Sequence, residues 1–273
     1  MAASWSLVTD DLKSPHGLAF DDEDVLFVAE AERGRISRID EGRVHAFAET
    51  GGKPLGIAFD DSGDIFVAES ARHHLLLISV DEAVEVYANQ CRGERIVAPQ
   101  ELCFSPEGDI LFTDSGRDGK TGSVYRADID GEVNRVASGL SNPTGMVWSQ
   151  DATTLYVSET GERRIISLEL DDAGETMVNQ QTLVTFDTGE PRALIFDSQG
   201  NLYVALHGVG LVLIDDAGET QETMEVGAGE PAGLIFGGLN YDELYVSDVG
   251  SGSVFCSQRE ISGQRPFAGP RSV

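Results

Sequence analysis

The sequence predicts an all-β fold, a six-bladed β-propeller with four-stranded blades, from one repeated hairpin, its spacing and its count. Each copy has a proline, a variable residue, a small residue, an apolar run, a turn and a second apolar run. The copies start at Pro15, Pro54, Pro99, Pro143, Pro191 and Pro231. A period of about 40–45 residues with several short strands is typical of propeller blades. The 273 residues are therefore predicted to form one domain.

The strands follow from the alternation of apolar residues within each repeat. In the first blade they are expected near His16–Phe20, Val25–Ala29, Arg35–Ile39 and Val44–Phe47. The last repeat supplies only three strands, at Leu234–Phe236, Leu244–Ser247 and Ser253–Cys256. We expect Trp5–Val8 to be the fourth strand of this blade, because such closure joins the chain ends and leaves no unpaired edge.

Composition limits the classes of partner. The chain has 19 basic and 47 acidic residues, a net charge of −28, which should repel nucleic acid and anionic membranes. No signal peptide and no membrane-spanning run is recognisable. The three cysteines show no metal-ligand spacing, and Cys103 and Cys256, in apolar strand positions, are most simply small core residues. These features predict a soluble, cytoplasmic protein, and they do not identify a protein partner.

The residue after each repeat's proline starts the innermost strand, so six such residues should surround one mouth of the central channel. They are His16, Leu55, Gln100, Thr144, Arg192 and Ala232. A small residue follows most of them and permits close backbone approach, but Glu101 follows in blade three. The fold does not explain this polar set. The polar set indicates a small-ligand site. Alternatively, these polar residues are paired with one another in a water-filled tunnel.

Several further residues bear on this site. Five acids follow the second strands and are expected to have a structural role, accepting hydrogen bonds from turns or from arginines such as Arg35 and Arg164; they are Glu30, Glu69, Asp114, Glu159 and Asp248. His207, in the fifth blade, is expected either to face the mouth near Arg192 or to be a satisfied core or loop residue. The insert Gly116–Thr121 is expected to overhang one face of the disc.

Four segments carry a resemblance to a known family. They are RIVAPQELCFSPEGDILFTDSG, NPTGMVWSQDATTLYVSET, EPRALIFDSQGNLYVALHGVG and FGGLNYDELYVSD. Their order and spacing resemble the gluconolactonase, senescence marker protein and luciferin-regenerating enzyme family over essentially the whole chain. The resemblance implies a six-bladed propeller, lactonase-type chemistry at the channel mouth and a divalent ion, usually Ca²⁺, held there.

The ligand positions of that family are substituted in this chain. The family's Glu, two Asn and Asp correspond to His16, Gln100, Thr144 and Arg192. A hard cation prefers several oxygen ligands, whereas Arg192 carries a fixed positive charge. We therefore predict no cofactor. A metal site stays unknown, since a softer ion on His16, Gln100 and Glu101 is conceivable.

These residues suggest a metal-independent enzyme acting on a small molecule. His16, Glu101 and Arg192 are the candidate catalytic residues: His16 exchanges protons near neutral pH, Glu101 acts as a base or orients His16, and Arg192 stabilises an oxyanion. Gln100, Thr144 and His207 would bind substrate. The expected reaction is hydrolysis of a small lactone or ester, with cyclisation or isomerisation as an alternative. A further alternative is a non-catalytic propeller that binds a small anion or a protein. Arg192 needs an anionic partner, either Glu101 or a ligand.

Overall fold

The structure, a computed structural model, describes residues 4–171 and 174–267, so both ends of the predicted domain lie outside the described residues. Six four-stranded antiparallel sheets form the blades of a propeller, as predicted. Helical structure within the described ranges consists of a single 3-10 turn, Thr160–Glu162. In this part of the chain no helix is both long and apolar enough to cross a bilayer.

The strands follow one another from the channel outwards in each of the first five blades. The first strand of the chain is β1 (Ser6–Thr9), and blade one has β2 (Pro15–Phe20), β3 (Leu26–Glu30), β4 (Arg35–Asp40) and β5 (Arg43–Glu49). Blade two has β6 (Pro54–Phe59), β7 (Ile65–Glu69), β8 (His74–Ile78) and β9 (Val84–Ala88). A small hairpin of β10 (Gln90–Cys91) and β11 (Glu94–Arg95) leads into blade three.

Blade three consists of β12 (Pro99–Phe104), β13 (Ile110–Asp114), β14 (Gly122–Ala127) and β15 (Val133–Leu140). Blade four has β16 (Pro143–Trp148), β17 (Thr154–Glu159), β18 (Arg164–Leu170) and β19 (Met177–Thr185). Blade five has β20 (Glu190–Phe196), β21 (Leu202–His207), β22 (Gly210–Ile214) and β23 (Thr220–Met224). Blade six has β24 (Pro231–Gly237), β25 (Glu243–Asp248) and β26 (Ser253–Gln258), and β1 completes it.

The N-terminal strand closes the sixth blade by pairing with β26. Ser6 lies opposite Cys256 and Leu7 opposite Phe255 in an antiparallel register. The strand is one residue later than the predicted Trp5–Val8, because Trp5 packs against the apolar core of this blade instead of entering the ladder. Closure by the N terminus is confirmed, with this correction of its bounds.

Apolar layers between neighbouring blades form the core. Aromatic rings meet edge to face across five of the six interfaces, with ring centroids 5.0–5.7 Å apart, a geometry that favours aromatic pairs. The pairs are Phe27–Phe59, Phe66–Phe104, Tyr156–Phe196, Tyr203–Phe236 and Phe20–Tyr245. The sheets are thereby locked into a ring around a central channel.

The five acids that end the second strands are structural, as predicted. Each carboxylate accepts backbone N–H groups from the segment that enters its own blade. Glu30, for example, accepts from the N–H of Lys13 at 2.8 Å and forms an ion pair with Arg35 at 2.8 Å. Glu159 pairs with Arg164 in the same manner. These contacts satisfy buried donors and fix the start of each inner strand.

After the last strand, the chain returns to the channel at the end opposite the prolines, here called the lower end. Gly263 pairs with Asp197, and the Gln264 N–H donates to the carbonyl of Phe196 at 2.9 Å. The Gln264 side-chain amide donates to the carbonyl of Trp148 at 3.1 Å. Residues 264–267 therefore lie across the lower end of the channel.

Candidate functional site

Every inner strand is irregular at its first residues. The register with the second strand shifts just after the proline in all six blades, within three residues in the first five and within two, between Pro231 and Gly233, in blade six. In blade one, for example, the shift falls between Pro15 and Leu18. Irregularities of this kind redirect side chains locally and are frequent beside active sites. Here they fall on the residue after each proline, the position predicted to face the channel.

The six predicted channel residues do share one depression, at the end of the channel where the prolines lie, here called the upper mouth. His16, Leu55, Gln100, Thr144, Arg192 and Ala232 all line it, and Glu101 lies beside them. The volume is about 30 Å³, which is roughly the share of one water molecule in the liquid. The mouth thus has room for a reacting group, such as a carbonyl, while the rest of a ligand would lie above it.

Glycine is required where the inner strands converge. A Cβ at Gly145 would lie 2.0 Å from the carbonyl oxygen of Arg192, and one at Gly233 would lie 2.1 Å from that of His16. Such distances are far below van der Waals contact, so no other residue fits without displacement. The close approach places the backbone of each channel residue against the preceding blade.

Hydroxyl groups on three second strands hold this arrangement, and the sequence analysis missed them. Ser247 donates to the carbonyl of His16 at 2.6 Å, and Ser158 donates to that of Arg192 at 2.6 Å. Thr113 donates to the carbonyl of Thr144 at 2.5 Å. Each lies directly before one of the five structural acids, so a Ser or Thr at that position is the signal that could have identified them.

Arg192 contacts Glu190 and not Glu101. Its Nη2 lies 3.4 Å from the Glu190 carboxylate, and its side chain retains 29% exposure. Its Nε is buried and has no hydrogen-bond partner among the described residues. Glu190 was not among the expected partners, and its loose, half-exposed contact is found in place of the expected ion pair with Glu101. A buried guanidinium N–H therefore stays available for an anionic or carbonyl oxygen.

Glu101 occupies the floor of the mouth. Its Oε1 accepts one hydrogen bond, from the N–H of Leu102 at 3.1 Å, and its side chain fills the space beside Gly56. Burial with so little compensation raises the pKa of Glu101 to about 7, since a desolvated carboxyl favours its neutral form. Glu101 is thus poised to gain or lose a proton near neutral pH.

His16 does not titrate near neutrality, which corrects the prediction. Burial, and then the positive charge of Arg192, lower its pKa to about 3, because both disfavour an imidazolium. The ring Nε2 lies 3.4 Å from the Ser14 hydroxyl, so the contact observed for this ring is to Ser14 instead of the expected Glu101. His16 is a neutral hydrogen-bonding group at pH 7.

Two predicted substrate-binding residues are engaged within the protein. The Gln100 amide nitrogen donates to the carbonyl of Ala98 at 3.1 Å and lies near the hydroxyls of Ser70 and Ser115. The Thr144 hydroxyl contacts that of Thr160 at 2.7 Å. Both residues line the mouth, but these hydrogen bonds mainly position the backbone around it.

The two peripheral predictions have different outcomes. His207 pairs with Glu190 across the ladder and lies close enough to contribute to the lowered pKa of His16, and its Nδ1 is buried without a partner among the described residues. It does not line the mouth. The insert Gly116–Thr121 does not line the mouth either, and its overhang of one face of the disc stays a prediction. It borders a separate depression at the edge of blade three, beside the β10–β11 hairpin.

The raised pKa of Glu101 predicts a pH-dependent contribution to stability. The folded state binds more protons than the unfolded state between pH 4.5, the ordinary pKa, and about 7. The free energy of unfolding must therefore decline with rising pH over this range. We expect urea denaturation to show this decline in the wild type relative to Glu101→Gln. Parallel pH dependences in the two proteins would contradict the assigned pKa.

The fold and the polar upper mouth, which contains Glu101, define a class of protein. It is a six-bladed propeller with a candidate small-molecule site. The SMP-30/Gluconolactonase/LRE-like region model matches residues 41–249. The chain belongs to this family, as the sequence resemblance indicated.

Relatives and solved structures agree with this assignment. The chain is 29% identical to "Lactonase drp35" of Staphylococcus haemolyticus over 78% of this chain and 69% of the relative. It is 28% identical to "Gluconolactonase" of Zymomonas mobilis over 59% of this chain and 51% of the relative; the chain thus spans about half the length of several curated relatives it matches. A gluconolactonase structure from Xanthomonas campestris superposes with a TM-score of 0.84 at 21% identity, covering 94% of this chain and 89% of that one.

Proposed function

We propose that the protein is a lactonase-like hydrolase that opens a small lactone or ester at the upper mouth, using Glu101 as general base. The observation that carries the proposal is a carboxyl with a pKa of about 7 in the same depression as Arg192. A general base is most effective when its pKa lies near the working pH. Family membership and the lactonases among the relatives support the reaction class.

We further propose that this chemistry proceeds without the divalent ion of the family. Ca²⁺ takes six to eight oxygen ligands, several of them carboxylates. The corresponding positions here hold an imidazole, a guanidinium, an amide and a hydroxyl, and the last two are already hydrogen-bonded within the protein. No group of three or more His, Cys, Asp or Glu side chains suited to a metal occurs within residues 4–171 and 174–267. This donor set does not fit the ion.

The proposed steps balance with protein groups and water. The Glu101 carboxylate takes a proton from water as the water oxygen bonds to the carbonyl carbon. Arg192 donates to the developing oxyanion, with its unpartnered Nε–H as the available donor. The ring C–O bond then breaks, and the proton on Glu101 passes to the leaving alkoxide. The new carboxylic acid then releases its remaining proton to solvent, and Arg192 holds the product carboxylate. Neutral His16 hydrogen-bonds the substrate.

A second candidate is binding of a small carboxylate without turnover. It is favoured by the small volume of the mouth, about 30 Å³, and by the internal hydrogen bonds of Gln100 and Thr144, which leave Arg192 as the main unsatisfied group. Cyclisation or isomerisation is a third outcome, since a base near neutrality serves proton transfer equally well. Product analysis distinguishes hydrolysis from both.

The test is a pH-stat assay of aldonolactones, simple γ- and δ-lactones and aryl acetates. We expect kcat/KM to rise with pH through about 7, because the base must be ionised. Glu101→Gln should lower kcat by about 100-fold or more. The matched control is Glu107→Gln, which alters an exposed carboxyl in the hairpin turn of the same blade and should keep full activity. Equal activity of the two variants would refute the proposed base.

A further inference from the structure

Below Glu101 the channel widens into a second cavity of about 190 Å³, here called the lower cavity. Inner strands from all six blades contribute to its wall, which is mostly apolar, and residues 264–267 form its lower boundary. Its aromatic rings are those of Phe20, Phe59, Phe104, Trp148, Phe196, Tyr241 and Phe267. Glu101 borders both spaces, so this carboxyl separates the polar mouth from the apolar cavity.

Two polar atoms in this wall have no partner. Trp148 Nε1 and Gln264 Oε1 are buried and make no hydrogen bond with any part of the chain that the structure describes. The orientation of the Gln264 amide is set, since its Nε2 donates to the Trp148 carbonyl at 3.1 Å. Buried polar atoms are nearly always hydrogen-bonded in folded proteins. One donor and one acceptor thus remain at neighbouring residues of a mostly apolar wall, whose charged members are Glu101 and Arg265.

The size and chemistry of the lower cavity select its ligand. An apolar cavity of about 150 Å³ is sufficient to bind benzene in another protein, so a single aromatic ring fits here. Aromatic walls favour edge-to-face contacts with such a ring, whereas a charged group would be poorly solvated. A hydroxyl on the ring would find an acceptor in Gln264 Oε1 and a donor in Trp148 Nε1.

We propose that the lower cavity binds a small neutral aromatic alcohol of the phenol type, held by its ring and by one hydroxyl. The site is separate from the mouth and does not depend on the hydrolase function proposed above. Residues 264–267 close it, so the C-terminal segment is part of the binding site.

The experiment is a ¹⁹F NMR titration of the full chain with 4-fluorophenol and 4-fluorotoluene. We expect saturable binding of both probes, with 4-fluorophenol binding more tightly. Gln264→Leu removes the acceptor and should weaken the binding of 4-fluorophenol by about fivefold, the effect of one net hydrogen bond. The affinity for 4-fluorotoluene should be unchanged. No saturable binding to the wild type, or an equal loss for both probes in Gln264→Leu, would overturn the proposal.

Two further measurements locate the probe. Ala58→Leu fills space in the lower cavity wall and should abolish binding, whereas the matched control Ala83→Leu, at an exposed turn of the same blade, should not. In the wild type, bound 4-fluorophenol should slow alkylation of Cys103, which lines the cavity, and leave Cys256 unaffected. Full binding in a folded Ala58→Leu, or unprotected Cys103 at saturation, would place the probe elsewhere and refute the site.

Discussion

Replacing Arg192 by alanine is expected to lower kcat/KM by about 10²- to 10³-fold, the usual cost of removing an oxyanion donor. The fold should tolerate the change, because the ion pair lost among the described residues is the half-exposed contact to Glu190 at 3.4 Å, worth about 0–1 kcal/mol. Arg192→Lys should recover activity in part, since an ammonium keeps the charge but lacks the planar fork of donors. Steady-state kinetics and thermal melting measure both effects.

The control for this prediction is Arg38→Ala. Arg38 lies on the third strand of blade one with 47% side-chain exposure and a loose contact to Asp40 at 3.8 Å, far from the mouth in the fold. The Arg38→Ala variant removes the same charge from an acidic protein and should leave kcat/KM unchanged. If Arg192→Ala keeps wild-type activity, Arg192 is not needed for catalysis. If the variant loses activity only in proportion to a large loss of stability, the role of Arg192 is structural.

Deletion of residues 1–10 is expected to give the largest loss of stability. The deletion removes β1, exposes the edge of β26 and uncovers the core that Thr9 and Val8 help to cover. Lost ladder hydrogen bonds and apolar burial together should lower the free energy of unfolding by about 3 kcal/mol or more. An exposed strand edge also favours association between chains.

Differential scanning calorimetry and light scattering measure these consequences. The matched control is deletion of residues 1–3, which leaves β1 intact and should melt like the full chain. A protein lacking residues 1–10 that stays monomeric with an unchanged melting temperature would show that closure of blade six does not need β1.

The repeat made the architecture predictable. Each copy carries its own proline and turn, and all but the third carry the small residue, so the position after Pro15 or Pro191 could be assigned to the channel from periodicity alone. The structural acids were predictable for the same reason, since Glu30 and Glu159 recur at one position of the repeat. Periodic features report on local geometry that is the same in every blade.

The chemistry of the mouth was less predictable, because it depends on contacts between blades. The sequence does not show that burial and the charge of Arg192, which lies in another blade, keep His16 neutral. The same holds for the C-terminal segment, where Gln264 reaches blade four across the channel. Such contacts join residues far apart in the chain and break the repeat, so periodicity carries no information about them.

The most direct test of the account is the hydrolysis rate of the wild type before and after exhaustive dialysis against EDTA, with metal content measured on the same samples. The assay uses whichever lactone or ester of the panel is opened fastest. We predict an unchanged rate in metal-depleted protein, because Glu101 and Arg192 supply the base and the positive charge. A rate that collapses on chelation and returns with one equivalent of Ca²⁺ would contradict it.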